Sequence, residues 1–472
     1  MEFIGRVEQL GWLNDRLAEV KRTGQGQLLS VRGRRQVGKS RLLEEFIGRS
    51  GERSVYFTAT RQPAERELDL FREAVAASPT KTAALAAQGS LGSWDAALTL
   101  LAGEATKRKP VIVVIDEFPY LSDSDPAMEA TLQAAWRRLE REPLLVVLVG
   151  SDLTMMEALN TYGCPLYGRL REFVVPPFTV AETADRLGLE AAEALEAQVV
   201  IGGMPRLAAL WHDGEALWRF LARELEDATS PLIVLGERSL NAELPADLKT
   251  RNVLSAIGAG ERVYSAIQQR AGMKQSTLSG SLETLERKRI VDKLFPYSAR
   301  AARKSTRYLV HDPYLRFWLR FLAPNIELVE RGRGDVLLER IRESWTSFRG
   351  RAIEPIVRGS IERILPNPDF GAARFVGAYW TRDNRVEVDL VGGADAGHAD
   401  PVEFIGSIKW RENEPFDRAD LAALIAGRRN VPGAGDSSIL VGVSRSGYST
   451  ADLDVELGPT DIVDAWRGVR GA

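Results

Sequence analysis

Apolar positions change rhythm along the chain. Leu10, Leu13, Leu17 and Val20 fall on one helical stripe. Residues 28–31 then form a short apolar run of strand length, after which Leu42, Leu43, Phe46 and Ile47 resume helical spacing. Residues 54–58 are a second strand candidate, and residues 61–109 read mostly helical, closing on Lys107-Arg108-Lys109 as a solvated helix end. Residues 111–115 are consecutive β-branched side chains, which predicts a strand buried on both faces. Residues 144–149 predict another. Strands alternating with helices indicate an α/β core around a parallel sheet. After Phe178 the strand signal fades: residues 180–236 read helical, broken at Gly202-Gly203-Met204-Pro205-Arg206.

Residues 249–321 predict three helices, the third over 276–288 with Leu278, Leu282 and Leu285 inward, and then a ribbon of residues 290–296 and 306–310. This is the element order of a winged helix-turn-helix. Its third helix presents Lys274, Gln275, Ser276, Thr277 and Ser279 toward duplex DNA, and its wing tip carries Arg300, Arg303, Lys304 and Arg307. Glu283 and Glu286 on that helix favour the competing use of such modules, docking to a protein. The aromatic stretch 311–321 reads as core packing. Residues 331–334 have linker composition. Beyond them Ile353, Ile356, Val357, Ile361 and Ile364 mark an amphipathic helix carrying Glu354, followed by a short meander of strands over 375–380, 385–391, 402–410 and 438–443.

The chemistry concentrates where strands end. Gly33-x-x-x-x-Gly38-Lys39-Ser40 lies between a strand and a helix, the setting of a phosphate-binding loop. Unpaired N–H groups at the helix start favour an anion. Gly33 and Gly38 let the main chain approach phosphate, Gln36, Val37 and Arg41 complete the cradle, and Lys39 adds a point charge. Ser40 offers a hydroxyl to Mg²⁺. Asp116 and Glu117 close the strand over 111–115. In open α/β sheets ligands bind at that end of a strand. Asp116 there suits Mg²⁺, and Glu117 suits orienting and polarising the attacking water. Ser151, at the tip of the next buried strand, is placed for the γ-phosphate or the water. Arg169 or Arg171 would stabilise transition-state charge, in cis or across a subunit interface, and Arg206 would sense nucleotide from the helical segment.

Composition narrows the rest. A chain of 472 residues exceeds one ordinary core, so two to four domains are expected. The net charge of −3 gives no overall basic character, so any nucleic-acid site must be a local patch. Cys164 is the single cysteine, which excludes an intrachain disulfide and a multi-thiolate zinc site. His212, His311 and His398 lie far apart and read as structural or surface residues. No basic-then-apolar leader opens the sequence, and no run approaches the roughly 18 apolar residues of a membrane span. A cytoplasmic location and no membrane partner are expected.

Together the motifs resemble a family of prokaryotic, archaeal-type P-loop ATPases near the AAA+ and STAND groups. Members carry a winged helix and a C-terminal domain of unknown function similar to the PD-(D/E)XK nuclease fold. The resemblance rests on Phe3-Ile-Gly-Arg-Val-Glu8, the segment Gly33 to Ser40, Asp116-Glu-Phe-Pro-Tyr120, Met155-Met-Glu157, Pro165-Leu-Tyr-Gly-Arg169, Gly202-Gly-Met-Pro205 and Asp312-Pro-Tyr-Leu-Arg-Phe-Trp318. It implies that Ile4, Gly5 and Arg6 line the adenine side and that the segment ending in Pro205 sets a lid against the nucleotide. It also matches Arg169 to the family's Tyr-Gly-Arg arginine. In the C-terminal domain it aligns Glu354, Asp389 and Lys409 with nuclease residues. Ser407 stands where active relatives carry a metal-binding acid, with Glu387 as a possible substitute on the strand face of Asp389.

The expected architecture is a P-loop α/β core (1–178), a helical lid (179–240), a winged helix-turn-helix (241–325) and a degenerate nuclease-like domain (335–472). The expected activity is Mg²⁺-dependent ATP hydrolysis, DNA-associated through the winged helix. Two alternatives stand beside it: a slow nucleotide-gated switch acting through a protein partner or homo-oligomer, and an ATP-regulated DNA nuclease.

Overall fold

The structure, a computed structural model, describes residues 3–89, 91–244, 247–298, 305–395, 397–450 and 452–468. It divides into two compact units, Met1–Pro177 and Phe178–Ala472.

The first unit is built on five strands: β1 (Gln27–Arg32), β2 (Arg53–Thr58), β3 (Val111–Asp116), β4 (Leu144–Gly150) and β5 (Leu170–Val174). All pair in parallel, in the order β2-β3-β4-β1-β5. The strand carrying Ser151 at its tip therefore separates the strand feeding the phosphate loop from the strand ending in Asp116. Alternation splits β3 between two cores: Val111, Val113 and Ile115 pack on one face, Ile112 and Val114 on the other. A strand covered on both sides has no polar face to show, which is why its sequence reads as a continuous apolar run. Emptying one such position, Ile112→Ala, is expected to cost about 2–5 kcal/mol. The first helix, Val7–Thr23, buries Leu10, Leu13, Leu17 and Val20. It stops at Gly24, whose φ of 75° suits the left-handed cap and whose N–H donates to the Val20 carbonyl at 2.8 Å. Lys107-Arg108-Lys109 forms a tight turn rather than a helix end: Thr106 and Lys109 exchange backbone hydrogen bonds at 3.0 Å.

The second unit shares one apolar core running from Val180 to Val463. Helix Val180–Leu187 starts in a capping box of Thr179 and Glu182. Helix Ala191–Ile201 is buried from Ala194 to its end. Helices Leu248–Gly258, Tyr264–Ala271 and Gln275–Arg287 precede an antiparallel ribbon of β6 (Val291–Leu294) and β7 (Arg307–Val310). The expected wing-tip residues Arg300, Arg303 and Lys304 lie outside the described residues. Arg307 does not sit at a free tip. It is buried, pairs with Glu387 at 2.6 Å, donates to Asn384 at 2.7 Å and stacks on Trp380 at 4.5 Å. Three of its five N–H donors are engaged in this way and the side chain is buried, so it is not a free cation at a wing tip.

The aromatic stretch is core, as its spacing predicts: Tyr314 donates to the Leu232 carbonyl at 3.0 Å and Trp318 to that of Ile233 at 2.7 Å. The double glycine finds its reason here. Cβ atoms on Gly202 and Gly203 would meet the Tyr314 backbone nitrogen at 2.8 Å and the Phe178 carbonyl at 2.1 Å, and both residues have positive φ. After helix Gly334–Ile364 comes a second sheet of β8 (Phe375–Trp380), β9 (Glu387–Gly393), β10 (Phe404–Lys409), β11 (Ile439–Ser444) and β12 (Val455–Leu457). The first three form an antiparallel meander, but the fourth strand expected in it, β11, does not continue it. Helix Arg418–Arg428 then carries the chain to β11 and β12, which run parallel to β10. Among the described residues no helix is long and apolar enough to cross a membrane.

Candidate active site

The loop after β1 and the ends of β3 and β4 meet at one edge of the first sheet. Gly33 is required for packing: a Cβ there would meet the Val175 carbonyl oxygen at 2.5 Å. Gln36 and Gly38 hold φ of 67° and 87°, which turns the loop into helix Lys39–Ser50. Buried Lys39 donates through Nζ to the carbonyls of Gly33 (2.8 Å) and Arg34 (3.0 Å). Burial pulls its pKa down to about 8, against the opposing pull of Glu117 and Asp116.

Asp116 is the hub. Its Oδ2 accepts from Ser40 Oγ at 2.7 Å and from the Tyr56 hydroxyl at 2.7 Å, and its Oδ1 accepts the Glu117 N–H at 2.9 Å. Glu117 has a left-handed backbone, φ 52°, and its carboxylate accepts from Ser151 Oγ at 3.0 and 3.1 Å. Thus Gly33, Gly38, Lys39, Ser40, Asp116, Glu117 and Ser151, scattered over 119 positions, come together through strand order. A hydroxyl and a carboxylate at hydrogen-bond distance are hard oxygen donors, the set Mg²⁺ takes. The donors present fit that ion. Arg41 is exposed and pairs along its own helix with Glu44 at 3.4 Å.

Tyr56 was not anticipated. On the strand beside β3 it reads as one more core aromatic, and only its place opposite Val55 and Phe57 in the alternation marks it as different. The Met155-Met-Glu157 segment also gains a reason. Met156 packs under Gly150, and Glu157 pairs with Arg32 at the end of β1, which Glu172 also reaches at 3.3 Å.

Other expected residues are placed elsewhere or differently engaged. Ile4 and Gly5 lead into Arg6, whose buried guanidinium donates to the carbonyls of Pro176 (2.6 Å) and Val37 (2.7 Å). Arg6 thereby ties the loop to the exit of β5. Arg169 is not brought to the loop of its own chain. It precedes Leu170, which pairs with Leu28, so the loop at Gly33 begins about five strand residues, or roughly 16 Å, further along the sheet. Arg169 and Arg171 instead line a cleft of about 540 Å³ at the opposite edge with Arg141, Glu19 and Glu140. Pro205 and Arg206 open a short helix in the second unit.

The nuclease-like residues of the second unit are close but turned to other partners. Asp389 Oδ2 accepts from Ser407 Oγ at 3.1 Å and from the Ile408 N–H at 2.8 Å. Glu354 pairs with Arg358 at 3.4 Å, Lys409 with Asp420 at 3.5 Å, and Glu387 with Arg307. Burial raises the pKa of both Asp389 and Glu354. Among the described residues no group of three or more His, Cys, Asp or Glu side chains is placed to hold a metal ion.

A parallel sheet with one strand inserted between the phosphate-loop strand and the acid-bearing strand defines a P-loop nucleotide hydrolase. Residues 3–207 match the model of an ATPase domain found predominantly in Archaea, and residues 318–420 match that of archaeal and bacterial proteins of unknown function. The chain is similar to an uncharacterized protein of Methanocaldococcus jannaschii, with 23% identity over 423 residues, 88% of this chain and 89% of the other. Among solved structures it is similar to the Walker-type ATPase of Pyrococcus abyssi, with 21% identity, a TM-score of 0.51, and 67% of this chain and 96% of that one covered. It is also similar to the ORC2 protein of Aeropyrum pernix, with 16% identity, a TM-score of 0.47, and 70% and 95% covered. Residues 3–207 are thus an ATPase domain of archaeal type, and the chain hydrolyses ATP.

Proposed function

We propose that hydrolysis is Mg²⁺-dependent and that its nucleotide state acts on DNA through the second unit. In this reading Ser40 and Asp116 hold the ion, which neutralises charge between the β- and γ-phosphates. The loop N–H groups and Lys39 cradle the phosphates. Glu117 orients the attacking water and draws its proton, and Ser151 fixes the Glu117 carboxylate until water takes its place. The single observation that carries this reading is the Ser40–Asp116 contact at 2.7 Å beside a Glu117 held by Ser151 at 3.0 Å.

The second unit is read as a lid (179–240), a winged helix-turn-helix (241–325) and a degenerate nuclease-like domain (335–472), after a core of 1–178. Helix Gln275–Arg287 exposes Lys274, Gln275, Ser276 and Ser279 at its start, which supports DNA contact there. The test is steady-state turnover with and without duplex DNA at two salt concentrations, with Glu117→Gln as the blank. Stimulation that fades as salt rises supports the DNA reading. Ordinary turnover indifferent to DNA removes it.

One observation favours a second reading, a nucleotide-gated assembly acting through a second copy. Arg169 lies at the sheet edge away from its own phosphate loop, so a role in phosphoryl transfer requires a neighbour's loop. A mass that does not change with nucleotide would eliminate this reading.

A further inference from the structure

The second unit contains a basic cavity that neither reading uses. It has a volume of about 100 Å³ and adjoins a larger one of about 300 Å³, sharing Arg262, Tyr308, Leu309 and Arg351 as walls. The charged lining of the smaller cavity is Arg262, Arg316, Arg320 and Arg351, with no carboxylate among its lining residues. Water occupies roughly 30 Å³ per molecule, so the space suits about three waters or one tetrahedral oxyanion.

Three separate elements deliver these cations. Arg262 follows helix Leu248–Gly258 after the turn at Gly260, φ 113°. Arg316 and Arg320 stand one turn apart, across the junction of helix Pro313–Phe317 with the π-helical turn Trp318–Leu322. Such π turns recur at functional sites. Arg351 lies one turn beyond Ser347 on helix Gly334–Ile364, and Ser347 also lines the cavity.

A purely structural cluster would be expected to pair its charges. Arg316 is buried, yet its closest bonds go to the Val310 carbonyl, at 2.8 and 3.2 Å. Arg320 donates to the Ala259 carbonyl at 2.9 Å. The nearest carboxylate to Arg262 is Glu387, at 3.9 Å, and that acid is already held by Arg307. Arg351 has no hydrogen bond or ion pair among the described residues. Asp292, Asp312 and Glu354 act on Arg316 from outside the lining. Burial, then the charge of Arg262, pushes the Arg316 pKa down to about 10. Cations that disfavour one another around a partly open cavity are stabilised by an anion within it.

We propose that this cavity binds a phosphate group, clamped by Arg262, Arg320 and Arg351 with the Ser347 hydroxyl at its rim. Guanidinium forks match phosphate oxygens bidentately. The phosphate comes from a small phosphorylated compound or from a nucleic-acid backbone, which present the same oxyanion.

The test uses the full chain carrying Lys39→Ala, which weakens phosphate binding at the ATPase loop, so that binding at the cavity is read as the part the arginine variants remove. Inorganic phosphate is titrated calorimetrically, and a labelled short duplex is followed by anisotropy. Saturable phosphate binding is expected, weakened about tenfold or more by Arg351→Gln and by Arg320→Gln, the scale of one lost charge-assisted hydrogen bond. Arg351 is exposed, so its variant keeps the fold and a change in affinity reads the site itself. If phosphate displaces the duplex and both variants weaken duplex binding in parallel, the source is a nucleic-acid backbone. If the duplex is indifferent to phosphate and to both substitutions, the source is a small compound. Absence of saturable binding up to about 50 mM phosphate, well above the millimolar scale of weak specific binding, overturns the proposal. So does an affinity unchanged in both arginine variants.

Discussion

Two aspartates, one in each unit, stand in the same local arrangement and have opposite surroundings. Asp116 and Asp389 both lie on strands, and both accept a hydrogen bond from a serine hydroxyl, at 2.7 and 3.1 Å. Around Asp116 the neighbours converge: Lys39 curls over the loop, Glu117 follows on the same strand end, and Ser151 holds it from the adjacent strand. Around Asp389 they disperse. Lys409 turns to Asp420, Glu387 to Arg307 and Glu354 to Arg358. An acid becomes part of a reaction centre when its partners have nothing else to bind. Asp389 holds two hydrogen bonds on Oδ2, from Ser407 and Ile408, while its charged neighbours are paired elsewhere.

The largest expected effect lies on the converging side. Glu117→Gln should lower kcat by about 10²–10⁴-fold while leaving nucleotide binding intact, as loss of a general base does. Steady-state turnover and equilibrium binding of the same variant check this. Next is Tyr56→Phe, which leaves Asp116 with one hydroxyl partner fewer. Losing a hydrogen bond to a charged acceptor, worth about 1.5–3 kcal/mol, should raise the Mg²⁺ concentration for half-maximal turnover or lower kcat by about tenfold or more. A magnesium titration shows which.

The third prediction concerns pH. The Lys39 pKa is pulled down to about 8 by burial, so the charge is present below that pH and lost above it. Binding a phosphate requires the charge. Nucleotide affinity should therefore hold level below pH 8 and fall by up to about tenfold per pH unit above it. Affinities from pH 7 to 9.5 that stay level would contradict this.

The smallest effect is on the dispersed side. Burial raises the Asp389 pKa above its ordinary 3.8. The folded chain then holds a proton that the unfolded chain releases, and stability falls as pH rises through the window between the two values. Asp389→Asn should remove that loss. Its melting temperature should exceed the parent's at pH 8 by a few degrees, given ~2–4 °C per kcal/mol, and the difference should vanish below pH 3.8. ATP turnover should be unaffected. A variant that instead loses turnover would show that the two aspartates are coupled.

Much of the converging site could be read from sequence because its signals are local. A glycine-rich turn between strand and helix, and two acids closing a buried strand, each fit within a dozen residues. Ser151 needed only the end of a third strand. What could not be read depends on register and strand order. Arg169 lies at the far edge of the sheet because β5 runs parallel to β1, a fact no residue near it encodes. Tyr56 earns its hydroxyl partner only because β2 lies next to β3. Arg307 looked like a free wing cation because sequence shows charge but not the Glu387 and Trp380 that absorb it. The four-arginine cavity left no signal at all, since its members come from an interhelical loop and two helical stretches spread over 90 positions.

The packing of Gly202 against the backbone of Tyr314 bears on how such a chain is inherited. The ATPase family match ends at residue 207, thirty residues past the boundary at Pro177. Those thirty residues belong physically to the second unit, among them Glu196, which Arg349 and Arg445 grip at 2.8 and 2.9 Å. A genetic exchange at residue 208 would cut through a packed core and leave Gly202 without the Tyr314 backbone it packs against. An exchange near residue 177 would pass the whole second unit intact. The module that recombination can move is thus defined by where the core closes and not by where family resemblance stops.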